Sequence, residues 1–380
     1  MLVFCFMKGA TVPVPLLDLS LQYTQLKEES DALWFDVMSN AAYIGGPRIE
    51  KLEKEMADYC GVGHCVAVAN GTDALFLILE ALNIRRGDEV ITTPWTFFAS
   101  IESIGHVGAT PVLIDIEPGT YNMDVSKIEA AITDKTKAIM PVHIYGQCCD
   151  MDAIQEIADK HNLYVIEDAC QAIGATYKGK KAGGIGVAAA FSFFPTKNLG
   201  AAGDAGCITT NDKDLADRMR LVARHGEAEK YVHVTFGTNS RLDALQAGLL
   251  SLRLTKLDEW NQQRRDAAEY YMDQLAGVGD IEMPVERDYG KGVYHLFIMK
   301  SAKAPEAVAA LQRQQIGSAL YYPHSLHEQD VLNELPGFVK PNLPVAEDSA
   351  SKTFAVPCYP GITREQQDEV VAAVKAFYGA

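Results

Sequence analysis

The chain lacks any apolar run near the roughly 18 residues that would suggest a membrane span. It also lacks an excess of positive charge. Lys and Arg number 34 against 50 Asp and Glu, a net charge of −16, so no general electrostatic drive toward phosphate backbones or anionic membranes exists. Nucleic acid and membrane are therefore not expected partners. The eight cysteines contain no CxxC pair and several sit in apolar runs, which fits a reducing cytoplasm better than a disulfide framework. Cys148 and Cys149 are vicinal and read as packing residues. The opening MLVFCFMKGA has about six apolar residues, too few for a secretory signal, and its Lys follows them; Met7 is a candidate initiator. No GxxxxGK[ST] occurs, and Gly184-Ile185-Gly186 follows a turn instead of a strand, which weakens nucleotide-triphosphate and dinucleotide readings. His143, His161 and His225 come without HExxH or paired Cys/His spacing and read as structural, so no metal site is expected.

What is present is the composition of a folded enzyme. Of 380 residues 48% are hydrophobic and 22% charged, with 30 Gly and 16 Pro, enough for two or three packed units. From His64 short apolar runs alternate with helical patterns: HCVAVAN, TDALFLILEAL, DEVITT, ASIESIGHV, TPVLID, SKIEAAI, TKAIMPVH, MDAIQEIADKHN and LYVIEDA. That alternation predicts right-handed βαβ units and an α/β domain with a mostly parallel sheet. A strand-like AAAFSFF, a Gly-rich turn PTKNLGAAGDAG, a strand CITT and helical segments from Asp214 to Val222 and through Arg241 to Leu275 follow. Near Gly277 the pattern changes to a smaller α+β unit, with strand VYHLFIMK, helix PEAVAALQRQQ, strand SALYYP and a last helix opened by a Thr363/Gln366 capping box. The expected division is a large domain over 13–250, whose first segment packs on the small one, and a small domain over 251–380.

Ligands of such sheets bind outside the carboxyl ends of the strands, which directs attention to particular residues. Asn70-Gly71-Thr72 sets a small-residue turn before a helix, either a phosphate seat or an ordinary helix cap. Asp168 ends an apolar strand, where a carboxylate needs a cationic or hydrogen-bonding partner, unless it or Glu167 caps the next turn. Lys197 lies in the Gly-rich loop, where a lone lysine is normally solvated. Together, an Asp at one strand tip and a Lys on a later constrained loop match the two groups that pyridoxal 5′-phosphate chemistry requires.

The stretches YIGGPRIEKLEKEMADYCG, VANGTDALFLILEAL, GDEVITTPWTFFASIESI, TKAIMPVHIYGQ, VIEDACQAIGA, FSFFPTKNLGAAGDAG, RHG, GTNSRLDALQAGLL and YYPHSLHEQ extend this match over nearly the whole chain. In them the sequence resembles the DegT/DnrJ/EryC1/StrS family of pyridoxal-phosphate-dependent sugar aminotransferases. The resemblance implies the fold type I (aspartate aminotransferase-like) architecture and a homodimer with shared active sites. It implies that Lys197 is the Schiff-base lysine, that Asp168 partners the pyridine nitrogen and Gln171 the phenolic oxygen, and that Phe97 stacks on the ring. Gly71, Thr72 and Ser192 would hold the phosphate, joined by Asn239 of the neighbouring subunit. Local patterning alone would make Phe97 a core residue and Ser192 a buried, backbone-bonded serine. Arg241 is the candidate for the donor's carboxylate, or a helix N-terminal ion pair. Tyr322, His324 and His327 are candidates for the sugar site; Tyr321 stands where many relatives have His, and His324 could equally be a surface residue.

The activity implied is transfer of an amino group from L-glutamate, which leaves as 2-oxoglutarate, to a nucleotide-linked keto sugar, with pyridoxamine phosphate as the cofactor's intermediate form. The YHLF and YYPHSLH segments resemble the branch acting on 3-keto sugars linked to UDP or dTDP. Lysine at 197, where dehydratases of the family have histidine, favours transamination. A dehydratase and a catalytically silent sensor are the alternatives.

Overall fold

The computed structural model describes residues 14–380; Cys5, Met7 and residue 13, the proposed start of the large domain, lie outside them. Seven strands form one sheet in the spatial order His64–Val68, Gly206–Thr210, Ala188–Ser192, Tyr164–Asp168, Thr136–Ile139, Glu89–Thr92 and Thr110–Leu113. The Gly206–Thr210 strand alone runs antiparallel to its neighbours. Since the other six run the same way, their carboxyl ends open on one edge of the sheet.

Alternation along the strands builds two cores. In the first strand Cys65 and Ala67 join one cluster with Leu52, Ile91, Ile139 and Phe191, while Val66 and Val68 join the other with Leu75, Ile78, Ile166 and Ile208. The Gly71–Ala81 helix packs into the second cluster, opened by the Asn70 side chain, which accepts from the Asp73 amide at 2.8 Å. Helices Ala99–His106 and Met151–His161 agree with their sequence patterns. The SKIEAAI pattern yields only a 3₁₀ turn, Val125–Lys127, and one short helical turn, Ile128–Ala131. The long pattern through Leu275 divides into Ala244–Leu254 and Leu257–Leu275.

Strands Phe297–Lys300, Thr353–Val356 and Ala319–Leu320 form a second, antiparallel sheet. Phe297 and Met299 face a core shared with Tyr271, Leu275 and Val370, whereas Ile298 turns toward Trp95, Leu113 and Tyr145 at the tip of the large sheet. Val14 joins this unit, bridging Ile316. The VYHLFIMK strand starts later than its pattern suggests. Val293 and His295 donate instead to the Gly146 and Tyr145 carbonyls, at 2.9 Å each, which binds this segment to the large sheet's loops. The Thr363/Gln366 capping box is present.

Candidate active site

Five segments converge where the parallel strands end. Asp168 terminates its strand with a carboxylate only 4% exposed. Ser100 donates to its Oδ2 at 2.6 Å and the Cys170 amide to its Oδ1 at 3.2 Å. Thr96 is hydrogen-bonded to Ser100 at 2.8 Å, so a short hydroxyl chain supports the carboxylate from the segment between Thr96 and the start of the next helix. Among the described residues no Lys, Arg or His pairs with Asp168.

Lys197 lies in the turn after the Ala188–Ser192 strand, its amide donating to the Phe194 carbonyl at 2.8 Å. It is half-buried and forms no ion pair among the described residues. Burial pushes its amine below the ordinary value, with the Asp168 carboxylate pulling partly the other way. Burial in turn pushes the Cys170 thiol well up, keeping it neutral. His295, which sequence reasoning did not single out, also belongs here. Burial, Lys197 and Arg264 hold it well below the ordinary imidazole value. The Asn198 amide donates to Asn261 and to the Val293 carbonyl, so its Oδ1 accepts from His295 Nδ1 at 3.2 Å and sets the neutral tautomer.

The Asn70-Gly71-Thr72 turn meets the same place. A Cβ on Gly71 would stand 2.6 Å from Ser192 Cβ and 3.1 Å from Cys170 Sγ, so only glycine permits this approach. No acceptor among the described residues meets the Gly71 and Thr72 amides, the first of the helix. Ser192 is half-buried and its hydroxyl accepts weakly from Phe194, at 3.4 Å. Phe97 is not in the core: it is 64% exposed while Phe98 packs inward.

Gln171 links this cluster to the second sheet. The Tyr145 amide donates to its Oε1 at 2.9 Å, and its Nε2 donates to the Tyr322 hydroxyl at 3.2 Å. Trp95, Tyr121, Tyr145 and Tyr322 pack around one another with ring centroids 5.8 to 6.3 Å apart. Next to Asp168 in sequence, Glu167 points to the opposite face. It is hydrogen-bonded to His143 at 3.0 Å and accepts the amides of Gly183, Ile185 and Gly186 at 2.8 Å each. The glycine-rich segment therefore cradles a protein carboxylate. Burial alone would push this carboxyl up, but the His143 and backbone hydrogen bonds outweigh it and hold it below the ordinary value.

Three expected residues stand apart. His327 is 1% exposed, with Nδ1 on Ser325 at 2.8 Å and Nε2 on Glu347 at 3.0 Å, so both ring nitrogens are engaged within its own chain. Asn239 and Arg241 are exposed, and Arg241 forms no ion pair among the described residues. Ser240 between them turns inward to accept from the Ala69 amide at 3.2 Å, so its two neighbours face away from their own chain. His324, two residues after Tyr322, is exposed.

Comparison with known proteins gives this arrangement a family. A sequence model of the DegT/DnrJ/EryC1/StrS aminotransferase family matches residues 24–375. The chain is 47% identical to a pleiotropic regulatory protein of Geobacillus stearothermophilus over 96% of this chain and 98% of that one. It is 40% identical to the dTDP-3-amino-3,4,6-trideoxy-alpha-D-glucose transaminase of Streptomyces venezuelae, over 97% of each chain. The crystal structure of S. venezuelae DesV in complex with a ketimine intermediate superimposes with a TM-score of 0.93 at 40% identity, covering 97% of this chain and 99% of that one. With a whole-chain match in sequence and in fold, this protein belongs to the DegT/DnrJ/EryC1/StrS aminotransferase family.

Proposed function

We propose that this protein is a pyridoxal-phosphate-dependent aminotransferase that converts a nucleotide-linked keto sugar into the amino sugar. The substrate favoured is a 3-keto sugar on UDP or dTDP, with L-glutamate as donor and 2-oxoglutarate as the acid released. One observation carries the reading: a lysine of lowered proton affinity and a buried carboxylate that has no ion-pair partner among the described residues lie beside a seat that only glycine keeps open.

The residues fit the cofactor on two counts. The Gly71 approach to Ser192 leaves main-chain donors facing the opening, as a phosphate requires, and Asp168 is a buried anion that an aromatic N–H⁺ would satisfy. When bound, the cofactor supplies an aldehyde that takes up amines and a ring that accepts electrons from the carbon losing its proton. Asp168, oriented by Ser100 and the Cys170 amide, holds the proton on the ring nitrogen. Lys197, with its proton affinity lowered by burial, is the base that takes a proton from the donor's α-carbon and returns one to the sugar carbon. The Gly71 and Thr72 amides and the Ser192 hydroxyl would bind the phosphate, the Gln171 amide would donate to the ring oxygen, and the exposed Phe97 ring would pack on the ring. His324, exposed two residues after Tyr322, is open to the sugar.

The homodimer is favoured by exposed apolar surface that a lone subunit leaves in water. Strands Glu227–Glu229 and Val232–His233 form a hairpin; Tyr231 at its turn and Val234 and Phe236 just after it, the last 98% exposed, are open to water, as are Trp34 and Phe35 on the Lys27–Ser39 helix. Asn239 and Arg241, turned away from their own chain, suit a partner's phosphate and the donor's carboxylate. Among the described residues no helix is long and apolar enough to cross a membrane, and the cysteines are unpaired, which supports a cytoplasmic setting.

The test is a mass-spectrometric assay of purified protein with glutamate and a panel of UDP- and dTDP-linked 3- and 4-keto sugars. The expected product is a 3-amino sugar with one 2-oxoglutarate formed per turnover. A deoxygenated sugar would select the dehydratase. Tight sugar binding without turnover would select a regulatory role, the reading that the name of the Geobacillus relative favours.

A further inference from the structure

We propose that Tyr322 is a positioning residue that anchors the donor end of the Gln171 amide, whose direction the Tyr145 main-chain amide sets, and with it the hydrogen bond Gln171 offers to the cofactor's ring oxygen. This rests on the reading of Gln171 as that oxygen's partner.

The two ends of the Gln171 side chain are identified by their neighbours. A backbone N–H can only donate, so the atom 2.9 Å from the Tyr145 amide is the carbonyl Oε1. The amide nitrogen therefore points the other way and donates to the Tyr322 hydroxyl, 3.2 Å distant. One Nε2 hydrogen is spent there and the second is left to donate into the site. Rotation of the amide by half a turn would set N–H against N–H at Tyr145. The Tyr322 hydroxyl, which both donates and accepts, could answer either end, so Tyr145 fixes the direction and Tyr322 fixes where the donor end lies.

Tyr322 holds this place by packing that does not need its hydroxyl. Its ring lies edge-on to Trp95 at 5.8 Å and stacked on Tyr145 at 6.3 Å. The Tyr145 hydroxyl accepts from Trp95 Nε1 and donates to the Tyr321 carbonyl, both at 2.8 Å, which locks the group together. Tyr322 follows the Ala319–Leu320 strand, so the second sheet supplies the hydroxyl that orients a residue of the first. The other titratable groups acting on Tyr322 are Asp168 and the Tyr321 and Tyr145 phenols, and a phenylalanine at 322 removes none of them.

A donor on the ring oxygen stabilises its anion and weakens that anion's hold on the Schiff-base proton. The cofactor's visible band should therefore titrate at lower pH with the donor in place than without it. The experiment is a spectrophotometric pH titration of the holoenzyme and of its Tyr322→Phe, Gln171→Leu and double variants, each with cofactor occupancy measured. Tyr322→Phe should raise the midpoint by about 0.5 unit or more, and Gln171→Leu by at least as much. In the Gln171→Leu background the Tyr322→Phe change should add nothing, because its effect passes through Gln171. Should the leucine variant fail to hold cofactor, Gln171→Met keeps the length without a donor or a charge and must also raise the midpoint. A Gln171 shift without a Tyr322 shift, or equal Tyr322 shifts in both backgrounds, overturns the role of Tyr322 and leaves Gln171 its own. No shift in any occupied variant overturns the reading of Gln171 and this proposal with it.

Discussion

The Ser100 hydroxyl donates to the Asp168 carboxylate at 2.6 Å, with both side chains buried at the tip of the large sheet. A hydrogen bond to a buried charged group contributes about 1.5–3 kcal/mol, so its loss loosens the carboxylate without discharging it. Ser100→Ala should slow the glutamate half-reaction about 10-fold or somewhat more, while Asp168→Asn should reduce it far more because the neutral amide holds no ring proton. Both should keep cofactor occupancy. Stopped-flow absorbance checks this, and a near-normal rate for occupied Asp168→Asn would remove Asp168 from its role.

At Gly71 the constraint is steric. An added methyl would sit 2.6 Å from Ser192 Cβ, on backbone and a short side chain with little room to yield. Gly71→Ala should weaken pyridoxal-phosphate binding about 10-fold or more, roughly 1.4 kcal/mol, chiefly by moving the helix start. Equilibrium dialysis of the apoprotein measures it. Unchanged affinity would mean that the phosphate lies elsewhere.

Glu167 accepts three amides and a hydrogen bond to His143, more than a glutamine's single oxygen can satisfy. Glu167→Gln should cost about 3 kcal/mol or more of stability at neutral pH. Because the folded-state pKa lies below the ordinary value of 4.5, this contribution is full above that pH and is lost as pH falls through the folded value. Denaturant melts from pH 7 down to pH 3 should show the gap between wild type and variant closing below about 4.5. A gap independent of pH would mean that Glu167 is not ionised in the folded protein.

The shared-site arrangement predicts complementation. Lys197→Ala and the double variant Asn239→Ala/Arg241→Ala should each be inactive, and subunit exchange should create heterodimers with one wholly native site. Random mixing gives about half heterodimers with one of two sites working, or roughly a quarter of wild-type activity. Heterodimers that form, by native mass spectrometry, yet regain nothing would show that these residues serve their own chain.

The strand and helix alternation from His64, the turn at Gly71, the strand-ending Asp168 and the loop carrying Lys197 were all legible in the sequence. Each is written within a few neighbouring residues, as a period of two or about 3.6 or as a small-residue turn. The parallel order then brought their tips to one edge. What the chain alone left open were contacts between distant segments. Ser100 lies 68 residues from Asp168, and Tyr322 lies 151 from Gln171. No local pattern marks such pairs. Both histidines of YYPHSLH were sugar-site candidates, with a surface place left open for His324; packing left His324 exposed and buried His327 between Ser325 and Glu347. The glycine-rich 183–186 segment had no strand before it to suggest a ligand, and the fold placed Glu167 in its cradle. Local chemistry thus determined which residues stand at the strand ends, while tertiary structure decided which of their hydrogen-bonding groups are already satisfied and which remain open to a ligand.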